Sequence, residues 1–76
     1  MSEHNEEFSG AEKDVLVYMI VGTGGGFIHT LLAAMFKADK ENFERLRGAF
    51  PLHAAAVEEW RDGDLRERAL KVGYEV

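Results

Sequence analysis

The chain contains no cysteine, a single proline and only three histidines among its 76 residues. The absence of cysteine excludes disulfides, which commonly stabilise domains this small. A structural metal is also disfavoured, because His4, His29 and His53 are far apart in the sequence and no thiolate is available. A chain of this length buries only about 60% of its unfolded surface. We therefore expect self-association to supply the missing stability, and we expect no cofactor.

Positive charge is scarce as well. Nine Lys and Arg residues stand against 14 Asp and Glu residues, which gives a net charge of −5. Because binding to a phosphate backbone needs a cationic surface, a nucleic acid partner is disfavoured. The first eight residues are acidic and polar, unlike the basic and apolar start of an export signal. We expect a disordered acidic tail over residues 1–8, a single helical domain over residues 9–76 and a cytoplasmic location.

Helix signals begin at Ser9. Ser9 and Glu12 have the S-x-x-E spacing of a capping box, which predicts a helix over residues 10–21. A buried strand is the alternative, because residues 15–21 form an apolar run rich in β-branched side chains. Helix is favoured, because no second strand is available for pairing. The glycines of residues 22–26 then predict a turn or hinge.

An amphipathic pattern predicts one long helix over residues 26–47. Apolar side chains recur there at the helical period of about 100° per residue. Lys37, Lys40 and Glu44 lie on the opposite side of the helix. One face of this helix should therefore be buried and the other exposed to solvent.

Pro51 ends this pattern, and it fits the first turn of a following helix because its missing N–H costs nothing there. That helix is predicted over residues 52–61, so a helical hairpin is expected at Pro51. Asp64 and Glu67 repeat the capping-box spacing and predict a last short helix that ends at Gly73. The predicted fold is all-α, with three or four helices.

Asp39 interrupts the apolar face of the predicted long helix, and Asn42 lies on the same face. A buried, unpaired carboxylate is costly, so this position needs an explanation. Asp39 either caps a new helix after a kink, or meets a buried partner, or contacts a ligand or protein partner. If it contacts a ligand or partner, the candidate contact residues are Asp39, Asn42, Arg45 and Arg47.

Catalytic chemistry finds little support in the sequence. His29 and His53 have no second catalytic group at a supportive spacing. The glycine-rich turn precedes a predicted helix, as phosphate-binding loops do, but Phe27 stands where the dinucleotide fingerprint requires glycine, and the P-loop lysine is absent. We predict that the protein is not an enzyme.

A membrane span is a further alternative. The segment between Val15 and Phe36 contains no Asp, Glu, Lys or Arg and is long enough to cross a bilayer as a helix. Gly22 and Gly26 also have the G-x-x-x-G spacing that packs transmembrane helices. Against a span stand His29 within the segment and the amphipathic pattern that continues past Phe36.

A recurrent pattern runs through the middle of the chain: G-x-F, a short apolar helix, A-D-x-x-N-x-x-R-L, and then F-P before another helix. It is carried here by Gly26-Phe27, Leu31, Ala38-Asp39, Asn42, Arg45-Leu46, Phe50-Pro51, Ala55 and Trp60. In this pattern the chain resembles a group of small uncharacterised phage and prophage proteins. Many of them have Gly-Phe-Pro where this chain has Ala49-Phe50-Pro51. The resemblance implies a viral or mobile-element origin in a bacterial host and no particular chemistry.

These observations favour a homo-oligomer, because the apolar residues exceed what so small a monomer can bury. The residues predicted to form the core and the subunit contacts are Leu16, Ile20, Leu32, Phe36, Phe43, Leu46, Phe50 and Trp60. The predicted function is a non-catalytic phage accessory protein that binds a host protein, for example one of the host's defences. The alternatives are a small-ligand binder, such as a nucleotide sponge with a pocket between subunits, and a single-span membrane protein.

Overall fold

The computed structural model describes residues 8–21 and 26–74, and the predicted acidic tail and glycine hinge lie largely outside these residues. The all-α class is confirmed, although the described residues form five helices where three or four were predicted. The helices are α1 (Gly10–Val21), α2 (Phe27–Lys37), α3 (Lys40–Ala49), α4 (Pro51–Asp62) and α5 (Leu65–Lys71).

The start of α1 confirms the predicted capping box. The Ser9 backbone N–H donates to Glu12 Oε1 at 2.8 Å, and the Glu12 backbone N–H donates to Ser9 Oγ at 3.1 Å. Two N–H groups that a first helical turn leaves unpaired are thereby satisfied. The apolar run of residues 15–21 belongs to this helix, so the strand alternative is wrong.

The predicted long helix over residues 26–47 is wrong, because two helices meet at Ala38 and Asp39. Ala38 is extended, with φ −69° and ψ 143°, and ends α2. Asp39 is the N-cap of α3, and its Oδ1 accepts the Asn42 backbone N–H at 2.9 Å. Aspartate is unfavourable inside a helix and favourable at this position, because its side chain competes for backbone N–H groups. The bend leaves Asp39 exposed, so it is not a buried charge.

Phe50 and Pro51 form the junction between α3 and α4. Phe50 lies outside both helices, with φ −134° and ψ 69°; its N–H donates to Leu46 O at 2.7 Å, and its carbonyl accepts from Ala54 N at 3.0 Å. Pro51 begins α4, as its fixed φ and missing N–H predict. The chain therefore changes direction at a single residue between two helices.

The two ends of α5 differ in how they match the sequence pattern. Asp64 makes no capping hydrogen bond, so the predicted second capping box is wrong; its Oδ1 accepts instead from Arg68 Nε at 3.2 Å. At the other end, Gly73 has φ 103°, which the missing Cβ permits. The N–H groups of Gly73 and Tyr74 donate to Leu70 O and Ala69 O, which is the Schellman pattern of a helix end.

Helix α4 lies at the centre of the fold and packs against each of the other four helices. The core is small, and several of its members are alanines. Its buried residues are Ala11, Val15, Leu16, Leu31, Leu32, Met35, Phe43, Ala54, Ala56, Val57, Leu65 and Ala69. Of the residues predicted for core and subunit contacts, Leu16, Leu32 and Phe43 are buried. Those packed partly buried against the core are Phe36, Leu46, Phe50 and Trp60. Ile20 remains 45% exposed.

Replacing Asp39 by alanine removes the side-chain cap of α3 and should lower the free energy of unfolding by about 1 kcal/mol. Asp39→Ser retains a capping oxygen and is the matched control. Urea denaturation followed by the fluorescence of Trp60, the single tryptophan, measures both variants. Equal losses in the two variants would show that the capping hydrogen bond is not the source of the stability.

Candidate functional site

Asn42 and Arg45 lie together at the bend between α2 and α3. Arg45 Nη1 donates to Asn42 Oδ1 at 3.3 Å, and Arg45 Nη2 donates to Glu41 Oε2 at 2.8 Å. Asp39 lies nearby in sequence, but its Oδ1 caps α3. Of the four predicted contact residues, the structure thus brings the side chains of Asn42 and Arg45 into contact, while Asp39 contacts the Asn42 backbone.

A cleft of about 360 Å³ occupies this bend. Its lining residues are Ala34, Lys37, Ala38, Asn42, Arg45 and Leu46. The alanine and leucine side chains supply an apolar floor, and Lys37 and Arg45 supply positive charge. The sequence pattern predicts Lys37 on the solvent side of one long helix and does not mark it as a contact residue. In the structure Lys37, at the end of α2, lines the cleft together with Arg45 of α3.

Arg47 lies apart from this cleft and links α3 to α4. Its guanidinium pairs with Glu58, with Glu44 Oε1 at 3.0 Å, and lies 5.1 Å from the centre of the Phe43 ring. Hydrogen bonding from Arg47 holds the pKa of Glu58 below its usual value. Arg61 approaches the same ring at 5.9 Å. The structure therefore gives Arg47 a role in packing the two helices together.

A second cleft, of about 500 Å³, lies between the start of α1 and α4. His53 Nε2 and Asp14 Oδ2 are 2.8 Å apart on its wall, and Ser9 also lines it. A nucleophilic serine would need its hydroxyl beside the histidine, but Ser9 Oγ accepts the Glu12 N–H as a helix cap. Among the described residues, no group of three or more His, Asp or Glu side chains is placed to hold a metal ion. The cleft thus contains a hydrogen bond between His53 and Asp14 that joins α4 to α1.

Glu12, Glu59 and Arg68 bring α1, α4 and α5 together, and we call this group the charge junction. Arg68 Nη2 lies 2.9 Å from Glu12 Oε2 and 3.8 Å from Glu59 Oε1. Burial raises the pKa of Glu12, but hydrogen bonds with Glu59, the Ser9 backbone and Arg68 outweigh burial and lower it to about 2. The hydrogen bond with Glu12, together with burial, raises the pKa of Glu59. The pKa values of the two carboxyl groups therefore shift in opposite directions, and Arg68 lies within ion-pair distance of both.

Tyr18, His29 and Phe36 form an aromatic group between α1 and α2. The Tyr18 ring stacks on Phe36 with centres 5.7 Å apart and meets His29 edge-on at 5.7 Å. Within the described part of the chain, the buried Nδ1 of His29 has no hydrogen-bond partner. These rings fix the packing of α2 on α1.

One side of α1 carries apolar side chains that no other described helix covers. Val15 and Leu16 are buried, whereas Val17, Ile20 and Val21 are 47%, 45% and 59% exposed. Phe27, at the start of α2, is 60% exposed and packs beside Phe50 with ring centres 5.6 Å apart. We call Val17, Ile20 and Val21 the α1 surface.

Among the helices in residues 8–21 and 26–74, none combines the length and apolar character needed to cross a membrane. The segment between Val15 and Phe36, the alternative membrane span, belongs to two helices, because α1 ends at Val21 and α2 begins at Phe27.

Comparison of the chain with protein-family models, with curated proteins and with solved structures finds no significant match in any of the three. The functional proposals below therefore rest on the side chains themselves and on the sequence resemblance to phage proteins.

The pKa shifts in the charge junction predict that neutralising Glu12 and neutralising Glu59 have different effects on stability. Glu12→Gln retains an oxygen for the Ser9 N–H and removes the charge beside Arg68, so at neutral pH it should lower the free energy of unfolding by about 1 kcal/mol. Because folding lowers the pKa of Glu12 from 4.5 to about 2, this contribution is present above pH 4.5 and is lost as pH falls through that range.

Glu59→Gln is the matched control for this prediction. Folding raises the pKa of Glu59, so its ionised form weakens the fold at neutral pH, and the substitution should leave stability unchanged or increase it. Urea denaturation at about pH 7 and about pH 3 measures both variants. Equal destabilisation by the two substitutions at neutral pH would contradict the opposite contributions of Glu12 and Glu59 to stability.

Proposed function

We propose that this protein is a non-catalytic accessory protein that associates with itself through the α1 surface and binds a protein of its bacterial host. The observation that carries the proposal is that residues 15–21 of α1 are all apolar or aromatic, while Val17, Ile20 and Val21 remain exposed. A helical stretch that is apolar all round is normally buried on all sides. A second copy of the chain can supply that cover.

The small core supports self-association. It is rich in alanine, and the chain has no cysteine for a disulfide. Association with a partner is one of the ways in which domains this small gain stability without such links. Burying the remaining exposed area of each valine or isoleucine on α1 contributes roughly 1 kcal/mol. Several such side chains on each copy therefore add to the driving force for association.

Binding to a host protein is supported by the resemblance to phage proteins and by the uses of the polar side chains. Ser9 caps a helix, His53 pairs with Asp14, and Arg47 pairs with Glu58 and Glu44. Because these side chains bond to other parts of the fold, we assign them structural roles. Binding another protein through the surface is then the function that we propose. A counter-defence factor that occupies a host protein fits this description.

Sedimentation of a Val17→Lys/Val21→Lys variant tests self-association. Lysine is a good helix former, so α1 should persist while its surface becomes charged. Wild-type protein should sediment as an oligomer at micromolar concentration and the variant as a monomer with unchanged helical circular dichroism. Leu70→Lys/Val72→Lys is the matched control, because these exposed side chains lie outside the α1 surface. A monomeric wild type would contradict the proposal.

Affinity capture from the bacterial host tests the partner. We expect the wild-type protein and the Leu70→Lys/Val72→Lys control to retain the same host protein, which should then bind the purified protein directly. Failure of every captured protein to bind as a purified component would contradict a direct host partner.

Small-ligand binding is the second candidate function, and the cleft at the α2–α3 bend favours it. This open cleft brings Asn42 and Arg45 to one apolar floor, which combines an apolar surface with polar groups that can orient a ligand. A sponge should retain its ligand through purification. Mass spectrometry under native conditions should then show added mass that denaturation releases.

A further inference from the structure

The cleft at the α2–α3 bend has an apolar floor. Ala34 and Ala38 contribute from the end of α2, and Leu46 contributes from α3. Because Ala38 is extended, the two helices separate there and leave about 360 Å³ between them. Ligand pockets are mostly apolar with a few polar groups that orient the ligand. This floor suits a flat apolar group.

Positive charge borders this floor. Lys37 and Arg45 both line the cleft, and no Asp or Glu is among its described lining residues. Asn42 Oδ1 accepts from Arg45, which leaves the Asn42 side-chain NH2 as a donor. The side chains of Arg45 and its partner Glu41 are 69% and 76% exposed. An ion pair so exposed contributes little, so an anion in the cleft can replace Glu41.

The helix ends beside the cleft do not reverse this preference. The carboxyl end of α2 carries a partial negative charge, and the amino end of α3 carries a partial positive charge. The two ends meet at Ala38 and Asp39, so their effects largely offset one another. Two carboxylates also lie beside the cleft: Asp39 accepts the Asn42 backbone N–H, and Glu41 pairs with Arg45. Neither lines the cleft, so Lys37 and Arg45 are the charged groups that face a ligand there.

We propose that this cleft binds a small organic anion, with its apolar body on Ala34, Ala38 and Leu46 and its anionic group on Arg45, Lys37 and the Asn42 amide. The proposal rests on the second candidate function and is independent of self-association. A planar guanidinium binds carboxylate or phosphate oxygens through two parallel hydrogen bonds, so either anionic group fits Arg45.

Titration of the full chain followed by backbone amide NMR tests this proposal. The probes are 2-naphthoate, 2-naphthyl phosphate, the neutral 2-naphthalenemethanol and inorganic phosphate. We expect saturable shifts at the cleft residues with both naphthyl anions. The neutral alcohol and inorganic phosphate should each bind more weakly than the naphthyl anions, by about tenfold or more. Comparing the two anions shows which anionic group the cleft prefers.

Two exposed substitutions assign the binding to the cleft. Arg45→Gln should weaken naphthyl anion binding about tenfold or more, and Ala34→Phe should abolish it by filling the floor. Arg66→Gln and Ala55→Phe are matched controls, because both residues are exposed and lie outside this cleft. Circular dichroism checks that each variant is folded.

The outcomes distinguish two claims: that the cleft binds a ligand, and that the ligand is an anion. Equal binding of the naphthyl anions and the neutral alcohol at the cleft would overturn the ligand class and leave ligand binding standing. No saturable binding of any naphthyl probe, or binding that Arg45→Gln and Ala34→Phe leave unchanged, would overturn the site as well.

Discussion

The hydrogen bond from the Asn42 backbone N–H to the Asp39 carboxylate divides one amphipathic stretch into two helices. Much of the remaining structure depends on that division. Because α3 starts afresh at Lys40, it takes its own direction and packs on α4, where Arg47 meets Glu58. The same bend opens the cleft and brings Lys37 and Arg45 to its border. A straight helix would carry the Asp39 carboxylate on its apolar face.

Helix α4 holds the fold together, because each of the other described helices packs on it. Its alanines permit close approach but bury little apolar area per residue. Polar contacts add to this packing: His53 bonds to Asp14 of α1, and the charge junction joins α1 and α5 to Glu59. The Glu12 side chain is only 13% exposed, so solvent screens its pairing with Arg68 less than it screens the exposed ion pairs of α3.

The two proposed functions use different parts of the molecule. Self-association uses the α1 surface, where apolar side chains have no cover among the described helices. Ligand binding uses the bend between α2 and α3, where an apolar floor meets two cationic side chains. Charging the α1 surface leaves the residues of the bend in place, and neutralising Arg45 leaves α1 in place. The two functions can therefore be tested separately in one protein.

The sequence alone determined the features that depend on neighbouring residues. The capping box at Ser9 and Glu12, the helix start at Pro51 and the helix end at Gly73 follow from backbone groups within a few positions, and each was predicted. The cap at Asp39 was one of three alternatives, because periodicity continues across a bend and cannot by itself distinguish one helix from two.

Only the tertiary structure decided which distant groups meet. His53 and Asp14 are 39 positions apart, and Arg68 and Glu12 are 56 positions apart, so no spacing rule pairs them. The cleft that Lys37 and Arg45 line also depends on the tertiary structure, because it lies where the chain bends at Ala38. Local hydrogen bonds define where helices start and stop, whereas the packing of helices on α4 determines which side chains share a site.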